Sequence, residues 1–104
     1  MSISIRPLED TDLAAADAIA QQAFRSPVNR MTDLRLYRKI QPDGWFLATQ
    51  EERPVGMVEA TNYGEFAHVG LMAVHPEAQR QGIGLSLIQF LLARLDKQVP
   101  LVTL

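Results

Sequence analysis

The residues best suited to chemistry lie between an apolar run typical of a strand and a leucine-rich helical pattern. Residues 79–84 read Gln-Arg-Gln-Gly-Ile-Gly and directly precede that pattern. The first turn of a helix carries N–H groups without backbone partners and a partial positive charge. Glycines there let an anion approach the backbone closely, and Arg80 adds a formal positive charge. The segment therefore predicts an anion site, with a phosphate ester as the natural ligand.

Two familiar nucleotide-binding motifs fit this segment poorly. A P-loop requires a lysine after its last glycine, and no lysine follows Gly84. A dinucleotide-binding fingerprint requires a third glycine, where this sequence has Leu87. The strand before such a fingerprint would also open the sheet, whereas the strand before Gly82 is the fourth to be expected.

The composition excludes several other chemistries. The 104 residues include no cysteine, which excludes a disulfide scaffold, a thiol nucleophile and a cysteine zinc site. The two histidines, His68 and His75, have no carboxylates at metal-ligand spacing, so no metal site is expected. The net charge of −2 argues against a nucleic-acid partner or an anionic membrane surface, because both usually require a basic excess.

The sequence gives no sign of a membrane or export signal. The first ten residues lack the basic start and apolar run of a signal peptide. The longest apolar-rich stretch, residues 83–95, is interrupted by polar residues and is shorter than the roughly 20 residues that span a bilayer. We therefore expect a cytoplasmic protein with no membrane partner.

The length suits one domain, and the residue pattern predicts eight elements in it. The expected strands and helices, in chain order, are a strand at 3–6, a helix from a cap at 10–11 to 24, a helix at 32–40, strands at 45–49, 55–61 and 65–74, a helix at 82–97 and a strand at 99–104. The order β-α-α-β-β-β-α-β predicts an α+β fold of the three-layer α/β type, with a mixed sheet and one right-handed crossover.

The motif and its surroundings resemble a known superfamily. Residues 79–84 fit the pattern Gln/Arg-x-x-Gly-x-Gly/Ala, and Met-Ala-Val-His-Pro at 72–76 precedes them. The opening at 5–12 and the Pro-Val-Gly-Met-Val phrase at 54–58 fit as well. In these features the sequence resembles the GNAT superfamily of acetyl-CoA-dependent N-acetyltransferases, over the whole chain and in order.

The resemblance implies acetyl-CoA as co-substrate, without a metal. The loop would wrap the cofactor's pyrophosphate, and the strand before it would pair with the pantetheine arm. The implied cofactor-binding residues are Met72, Ala73, Val74, Gln79, Arg80, Gln81, Gly82, Ile83 and Gly84. The implied reaction is direct attack of a primary amine on the thioester, with a backbone amide holding the oxyanion.

Two residues are candidates for the general base of that reaction. His68 is the first candidate, because histidine as a residue type titrates near neutral pH and period-two counting puts it on the strand face of Gly70 and Met72. The alternative is a surface or hydrogen-bonded strand histidine. Glu59, an acid within an apolar strand, is the second candidate, and its alternative is an outward-facing strand position.

The chain departs from the family pattern at its C-terminal side. The family's usual thiolate acid is a tyrosine on a helix after the fifth strand, and that helix and the last two strands are absent. We therefore expect residues 1–104 to be an incomplete GNAT domain, because the sequence stops within an apolar strand pattern, although a short natural domain remains an alternative. The alternative function is a non-catalytic acyl-CoA-sensing module or one half of a two-domain protein.

The expected partners follow from the same resemblance. The acceptor would be a small-molecule or peptide amine, selected by the groove formed by residues 24–40. Basic residues in that segment, among them Arg30, Arg35, Arg38 and Lys39, hint at an acidic acceptor. A missing C-terminal segment or a second copy, in a homo-oligomer, is expected to cover the edge of the last strand.

Overall fold

The computed structural model describes residues 3–40, 42–95 and 102–103. Within these ranges the strands are β1 (Ile3–Pro7), β2 (Trp45–Gln50), β3 (Arg53–Asn62), β4 (Ala67–Val74) and β5 (Val102–Thr103). The α-helices are α1 (Leu13–Phe24), α2 (Met31–Ile40) and α3 (Ile83–Leu95). Short 3-10 turns at Asp10–Asp12, Pro42–Gly44 and Pro76–Ala78 precede α1, β2 and α3.

The strands form one sheet in sequence order, β1-β2-β3-β4-β5. The first four strands pair antiparallel, and β5 runs parallel to β4. Val102 pairs with Ala67 and Thr103 with His68, so β5 lies beside the N-terminal half of β4. The other residues of the predicted strand at 99–104, and the end of the predicted helix at 96–97, lie outside the described residues.

The core has two parts, one on each face of the sheet. On one face α3 packs its buried residues, such as Leu87 and Leu91, against Phe46 and Val58. On the other face α1 and α2 cover the alternate strand positions, such as Leu47 and Met57. Successive strand residues point to opposite faces, so each strand contributes to both parts. The predicted three-layer α+β fold with a mixed sheet is confirmed.

Gly56 allows α3 to lie close to the sheet. A Cβ built at Gly56 would lie 3.2 Å from Ile83 Cγ2 and 3.2 Å from Leu87 Cδ1, which is tighter than ordinary contact. The helix that follows residues 79–84 is therefore seated directly on β3.

The observed bounds differ from the predicted ones by a few residues. Strand β3 starts at Arg53 and continues through Pro54, whereas β4 starts at Ala67 rather than at residue 65. Pro54 is accommodated beside a bulge, because the register of β2 and β3 shifts between Ala48 and Thr49. In the described part of the chain, no helix is long and apolar enough to cross a membrane.

Candidate functional site

A cavity of about 390 Å³ lies where β4 meets the start of α3. Eight of the nine predicted cofactor-binding residues line it together with two residues at the end of α1; these are Met72, Ala73, Val74, Gln79, Arg80, Gly82, Ile83, Gly84, Ala23 and Phe24. The ninth, Gln81, is instead held away by a hydrogen bond of 3.0 Å from Gln50 Nε2 to its Oε1. The structure thus brings the motif and the preceding strand to one cavity, with α1 as its far wall.

The backbone at the start of α3 leaves N–H groups available to a hydrogen-bond acceptor from outside the helix. Arg80 and Gly82 have φ of +68° and +79°, the left-handed region that a non-glycine residue rarely adopts. The Ser86 N–H donates to the Gly82 carbonyl at 2.9 Å, as the first hydrogen bond of α3. The N–H groups of Ile83, Gly84 and Leu85 consequently have no acceptor within the helix. An anion in the cavity can accept from them.

Two of the loop's polar side chains support its shape. Gln79 Nε2 donates to the Val74 carbonyl at 3.0 Å, which ties the start of the loop to the end of β4. His75 Nδ1 accepts from the Glu77 N–H at 3.2 Å and so caps the turn at Pro76–Ala78. This geometry agrees with reading His75 as a structural loop residue.

A second cavity, of about 490 Å³, lies beneath α2 on the opposite face of the sheet from α3. Its floor is formed by β2, β3 and β4, and its walls by α2 and the segment before it. The floor residues are Trp45, Glu59, Thr61, Gly70 and Leu71. The wall residues are Val28, Arg30, Asp33, Leu34, Tyr37 and Ile40. We call this cavity the acceptor groove.

Glu59 lies at the centre of the groove floor. Thr61 Oγ1 donates to Glu59 Oε1 at 2.7 Å, which fixes one carboxylate oxygen. The other oxygen, Oε2, lies 2.6 Å from the position that a Cβ at Gly70 would occupy. The carboxylate therefore crosses from β3 over β4 through space that only glycine leaves open. Sequence reasoning missed Thr61 and Gly70, although a glycine within a strand is itself a signal of close approach or of a bulge.

A bulge in β4 places His68 and Met72 on opposite faces of the sheet, although the sequence predicts one shared face. Glu59 pairs with Leu71 but Ala60 pairs with Val69, so Gly70 is the extra residue on β4. His68 shares a face with Gly70, since its Cδ2 lies 4.0 Å from a Cβ built there. The prediction that Met72 lies on that face as well is wrong.

Met72 faces α3 instead. A Cβ built at Gly84 would lie 3.6 Å from Met72 Cε, on the α3 side of the sheet. Strict alternation fails because the bulge adds one residue between His68 and Met72. His68 is exposed and does not line the acceptor groove, whereas Glu59 does.

The two cavities follow each other along β4. Gly70 and Leu71 line the acceptor groove, and the next three residues, 72–74, line the cavity at α3. The walls of the two cavities are also in contact. The guanidinium of Arg30, which lines the acceptor groove, lies 5.5 Å from the ring centroid of Phe24, which lines the cavity at α3. Among the described residues, β5 pairs with β4 only at Ala67 and His68. In those ranges the outer edge of β4 beside both cavities has no strand partner.

The described residues contain no group of three or more histidines, cysteines or carboxylates that could hold a metal ion. The buried side chain of Trp45 forms one end of the groove floor, and its Nε1 has no hydrogen-bond partner within the described ranges.

The chain belongs to the acetyltransferase (GNAT) family, whose model matches residues 13–103. This confirms the resemblance found in the sequence, and it indicates acyl transfer as the general chemistry. Among curated proteins, none matches this chain.

Solved structures of acetyltransferases share the fold. A Pyrococcus horikoshii protein described as an acetyltransferase has a TM-score of 0.88 and 31% identity, over 93% of this chain and 36% of that protein. The ribosomal-protein-S18-alanine N-acetyltransferase of Escherichia coli has a TM-score of 0.77 and 30% identity, over 92% of this chain and 61% of its own. The chain therefore spans less than two thirds of either protein.

PaiA N-acetyltransferase from Thermoplasma acidophilum, solved in complex with coenzyme A, has a TM-score of 0.79 over 93% of this chain and 74% of its own. Its identity to this chain is 19%, so this likeness concerns the fold alone.

Proposed function

We propose that this chain binds acetyl-CoA at the start of α3 and transfers the acetyl group directly to a primary amine held in the acceptor groove. One observation carries the proposal: the two cavities are consecutive along β4, with residues 70–71 in one and 72–74 in the other. Direct transfer requires the amine and the thioester to meet, and holding two reactants side by side supplies much of the rate enhancement in such reactions.

The cavity at α3 suits the pyrophosphate of acetyl-CoA. The free N–H groups at 83–85 and the positive end of the helix favour an anion there, and Arg80 lies beside them. The outer edge of β4, unpaired from residue 69 onward within the described ranges, offers backbone groups to the amides of the pantetheine arm. The complex of the Thermoplasma acidophilum relative with coenzyme A supports the choice of cofactor for this fold.

Glu59 is the general base that this geometry favours. In the transfer, the amine nitrogen forms a bond to the thioester carbonyl carbon, the carbon–sulfur bond breaks, and the thiolate of CoA leaves. The amine loses one proton, which a carboxylate in the groove can accept, and the thiolate takes up one proton. Glu59 lies in the groove floor with one oxygen held by Thr61, whereas His68 stays the alternative outside the lining.

Filling the space at Gly84 tests the cofactor site. Gly84→Val places methyl groups toward Met72 and Val74, which line the cavity, and we expect acetyl-CoA affinity to fall at least tenfold by calorimetry. Ala93→Val is the matched control, because it makes a similar enlargement at an exposed position of the same helix. Unchanged affinity in a folded Gly84→Val protein would show that the cofactor site lies elsewhere.

Two substitutions distinguish the base candidates. We expect Glu59→Gln to lower kcat by roughly 10²–10⁴-fold with little change in acetyl-CoA affinity, the usual contribution of a general base. His68→Ala is expected to leave kcat within a few-fold. The reverse pattern would assign the base to His68. Acetyl-CoA binding without consumption of acetyl-CoA by any amine would favour the alternative of a non-catalytic acyl-CoA sensor.

The outer edge of β5 supports a proposal about assembly. In the described ranges β5 pairs on one side only, with β4. We propose that a further C-terminal segment or a second copy of the chain covers this edge, since open strand edges promote pairing. Sedimentation of the 104-residue chain should then show association that rises with concentration. A monomer at all concentrations would contradict this proposal.

A further inference from the structure

The acceptor groove has a small polar centre, formed by Glu59 and Thr61, and mostly apolar walls around it. We propose that its occupant is a small apolar primary amine without a carboxylate, with the nitrogen at Glu59 and the carbon skeleton beneath α2. This inference rests on the proposed function, because it names the class of acceptor for the same site. The cavity of about 490 Å³ lies within the range of small-molecule sites, about 300–1,000 Å³.

The floor of the groove places one carboxylate between two apolar side chains. Trp45, Glu59 and Leu71 are register partners across β2, β3 and β4, so their side chains form one row on one face of the sheet. Trp45 is 2% exposed and supplies an aromatic surface beside the carboxylate. An amine bound at the centre of this row has apolar contacts available on both sides.

The wall of the groove leaves apolar side chains in water. Tyr37 is 56% exposed, Ile40 69% and Val28 56%, and all three line the cavity. Exposed apolar surface concentrated around a concave site is typical of a ligand-binding surface. A hydrocarbon skeleton would bury these side chains, whereas a strongly polar acceptor would leave them without partners.

The charges that line the groove favour an amine over an acid. Its titratable residues are two carboxylates, Asp33 and Glu59, one guanidinium, Arg30, and the phenol of Tyr37. Arg30 is already engaged, since its Nη1 donates to the Val28 carbonyl at 3.3 Å and its guanidinium lies over the Phe24 ring.

The basic residues that belong to α2 itself do not line the groove. Arg38 donates to the Leu8 carbonyl at 2.8 Å and to Asp10 Oδ1 at 2.7 Å, which directs it toward the end of β1. Arg35 and Lys39 are exposed and outside the lining. Of the basic residues that hinted at an acidic acceptor, only Arg30 therefore lines the groove, and its guanidinium is already engaged.

The groove can be probed without turnover, because Trp45 is the only tryptophan in the sequence and lies in the floor. Titration of its fluorescence with 2-phenylethylamine, phenylalanine and 1,4-diaminobutane compares one apolar amine with its carboxylated analogue and with a diamine that has no ring. We expect 2-phenylethylamine to bind at least tenfold more tightly than either of the others, and the same order in acetyl-CoA consumption.

A pair of substitutions on α2 locates the binding surface. We expect Ile40→Lys, in the groove wall, to weaken 2-phenylethylamine binding at least tenfold. Leu36→Lys is the control, since Leu36 is similarly exposed, at 54%, but lies outside the lining. It should leave the affinity within twofold. Equal effects of the two substitutions would place the amine outside the groove and overturn the proposal.

The outcomes separate this inference from the proposed function. If acetyl-CoA binds and is consumed with phenylalanine, with the diamine or with a peptide N-terminus in preference to 2-phenylethylamine, the acceptor class is wrong and the transferase proposal stands. If acetyl-CoA fails to bind while 2-phenylethylamine still changes Trp45 fluorescence with the expected preference, the acceptor groove stands and the transferase proposal fails.

Discussion

At the scale of single residues, the candidate site depends on a contact that a methyl group would prevent. Glu59 Oε2 lies 2.6 Å from the position that the Cβ of any other residue at position 70 would occupy. The hydroxyl of Thr61 holds the opposite oxygen at 2.7 Å, so the carboxylate is fixed between a donor and a glycine. A carboxylate fixed in this way loses less freedom when it takes a proton from an incoming amine, which is the benefit of preorganisation.

We expect Gly70→Ala to lower kcat about 10- to 100-fold, because the new Cβ displaces the Glu59 carboxylate by an ångström or more. The fold should survive, since the displaced atoms are the end of a flexible side chain. Acetyl-CoA affinity should not change. The double variant with Glu59→Gln provides the control: if Gly70→Ala acts through Glu59, it adds little to the loss already caused by Glu59→Gln. Additive losses would contradict this route.

The order of the base candidates shows what residue patterns can and cannot predict. Both Glu59 and His68 could be selected from residue type and strand position alone. Their relation to Met72 could not, because one extra residue at Gly70 reverses the alternation on which period-two counting depends. The glycine within the strand, Gly70, was the available signal of such a bulge.

At the scale of elements, two tight connections adopt backbone conformations that their residues disfavour. The two-residue turn between β2 and β3 is Glu51-Glu52, with φ of +52° and +68°. A two-residue hairpin turn of type I′ has positive φ at both positions, and asparagine followed by glycine is the preferred pair. Two consecutive glutamates give no sequence signal of a left-handed turn.

Replacing this turn with Glu51→Asn and Glu52→Gly should stabilise the chain by about 1–2 kcal/mol, the usual scale of left-handed strain at one or two non-glycine residues. For a domain of this size, each kcal/mol raises Tm by roughly 4–8 °C. Glu65→Asn, at an exposed position with no positive φ, is the control and should change Tm little. An unchanged or lower Tm in the turn variant, measured by thermal unfolding, would contradict the strain argument.

The loop before α3 has the same strain at Arg80, which lines the proposed cofactor site. Arg80→Gly relieves the strain and removes the charge, so we expect stability to be kept or raised while the dissociation constant of acetyl-CoA rises about tenfold. That factor corresponds to a lost charge-assisted contact of about 1.4 kcal/mol. Arg80→Lys, which keeps a positive charge, should recover most of the affinity. Full affinity in Arg80→Gly would exclude a cofactor contact by this side chain.

At the scale of the whole molecule, charged contacts tie the start of the sheet to the helices. Arg6 forms a two-pronged ion pair with Asp12, at 2.7 and 2.9 Å, and the Glu9 N–H donates to the same carboxylate at 2.8 Å. Leu8 lies in the same segment, and its carbonyl accepts a hydrogen bond from Arg38 of α2. The helix that walls the acceptor groove is thus anchored through the segment between β1 and α1.

Most of this architecture follows from the sequence, because apolar periodicity and turn residues set the elements and their order. The ion pair of Arg6 and Asp12 does not follow from those patterns. Asp12 reads as a helix-start acid favoured by the helix dipole, while its partner is on β1 and approaches only once the chain folds back.

The Asp12 contacts predict how stability depends on pH. The hydrogen bonds from Arg6, with further help from the Glu9 N–H, hold the pKa of the Asp12 carboxyl below its usual value despite burial, which acts in the opposite direction. Because the folded-state pKa is lowered, the carboxylate stabilises the fold fully at neutral pH, and this contribution declines as the pH falls below about 4 and through the folded pKa. Asp12→Asn should therefore lower the free energy of unfolding at pH 7 and have much less effect near pH 2–3.

Urea unfolding of both proteins at the two pH values measures this difference, and the exposed Asp43→Asn serves as the control with no loss expected at either pH. If the free energies of unfolding of Asp12→Asn and the parent protein differ by the same amount at both pH values, Asp12 acts through its shape and not through its charge. A difference that disappears in acid would show that the ionised Asp12 carboxylate stabilises the fold through its contacts with Arg6 and the Glu9 N–H.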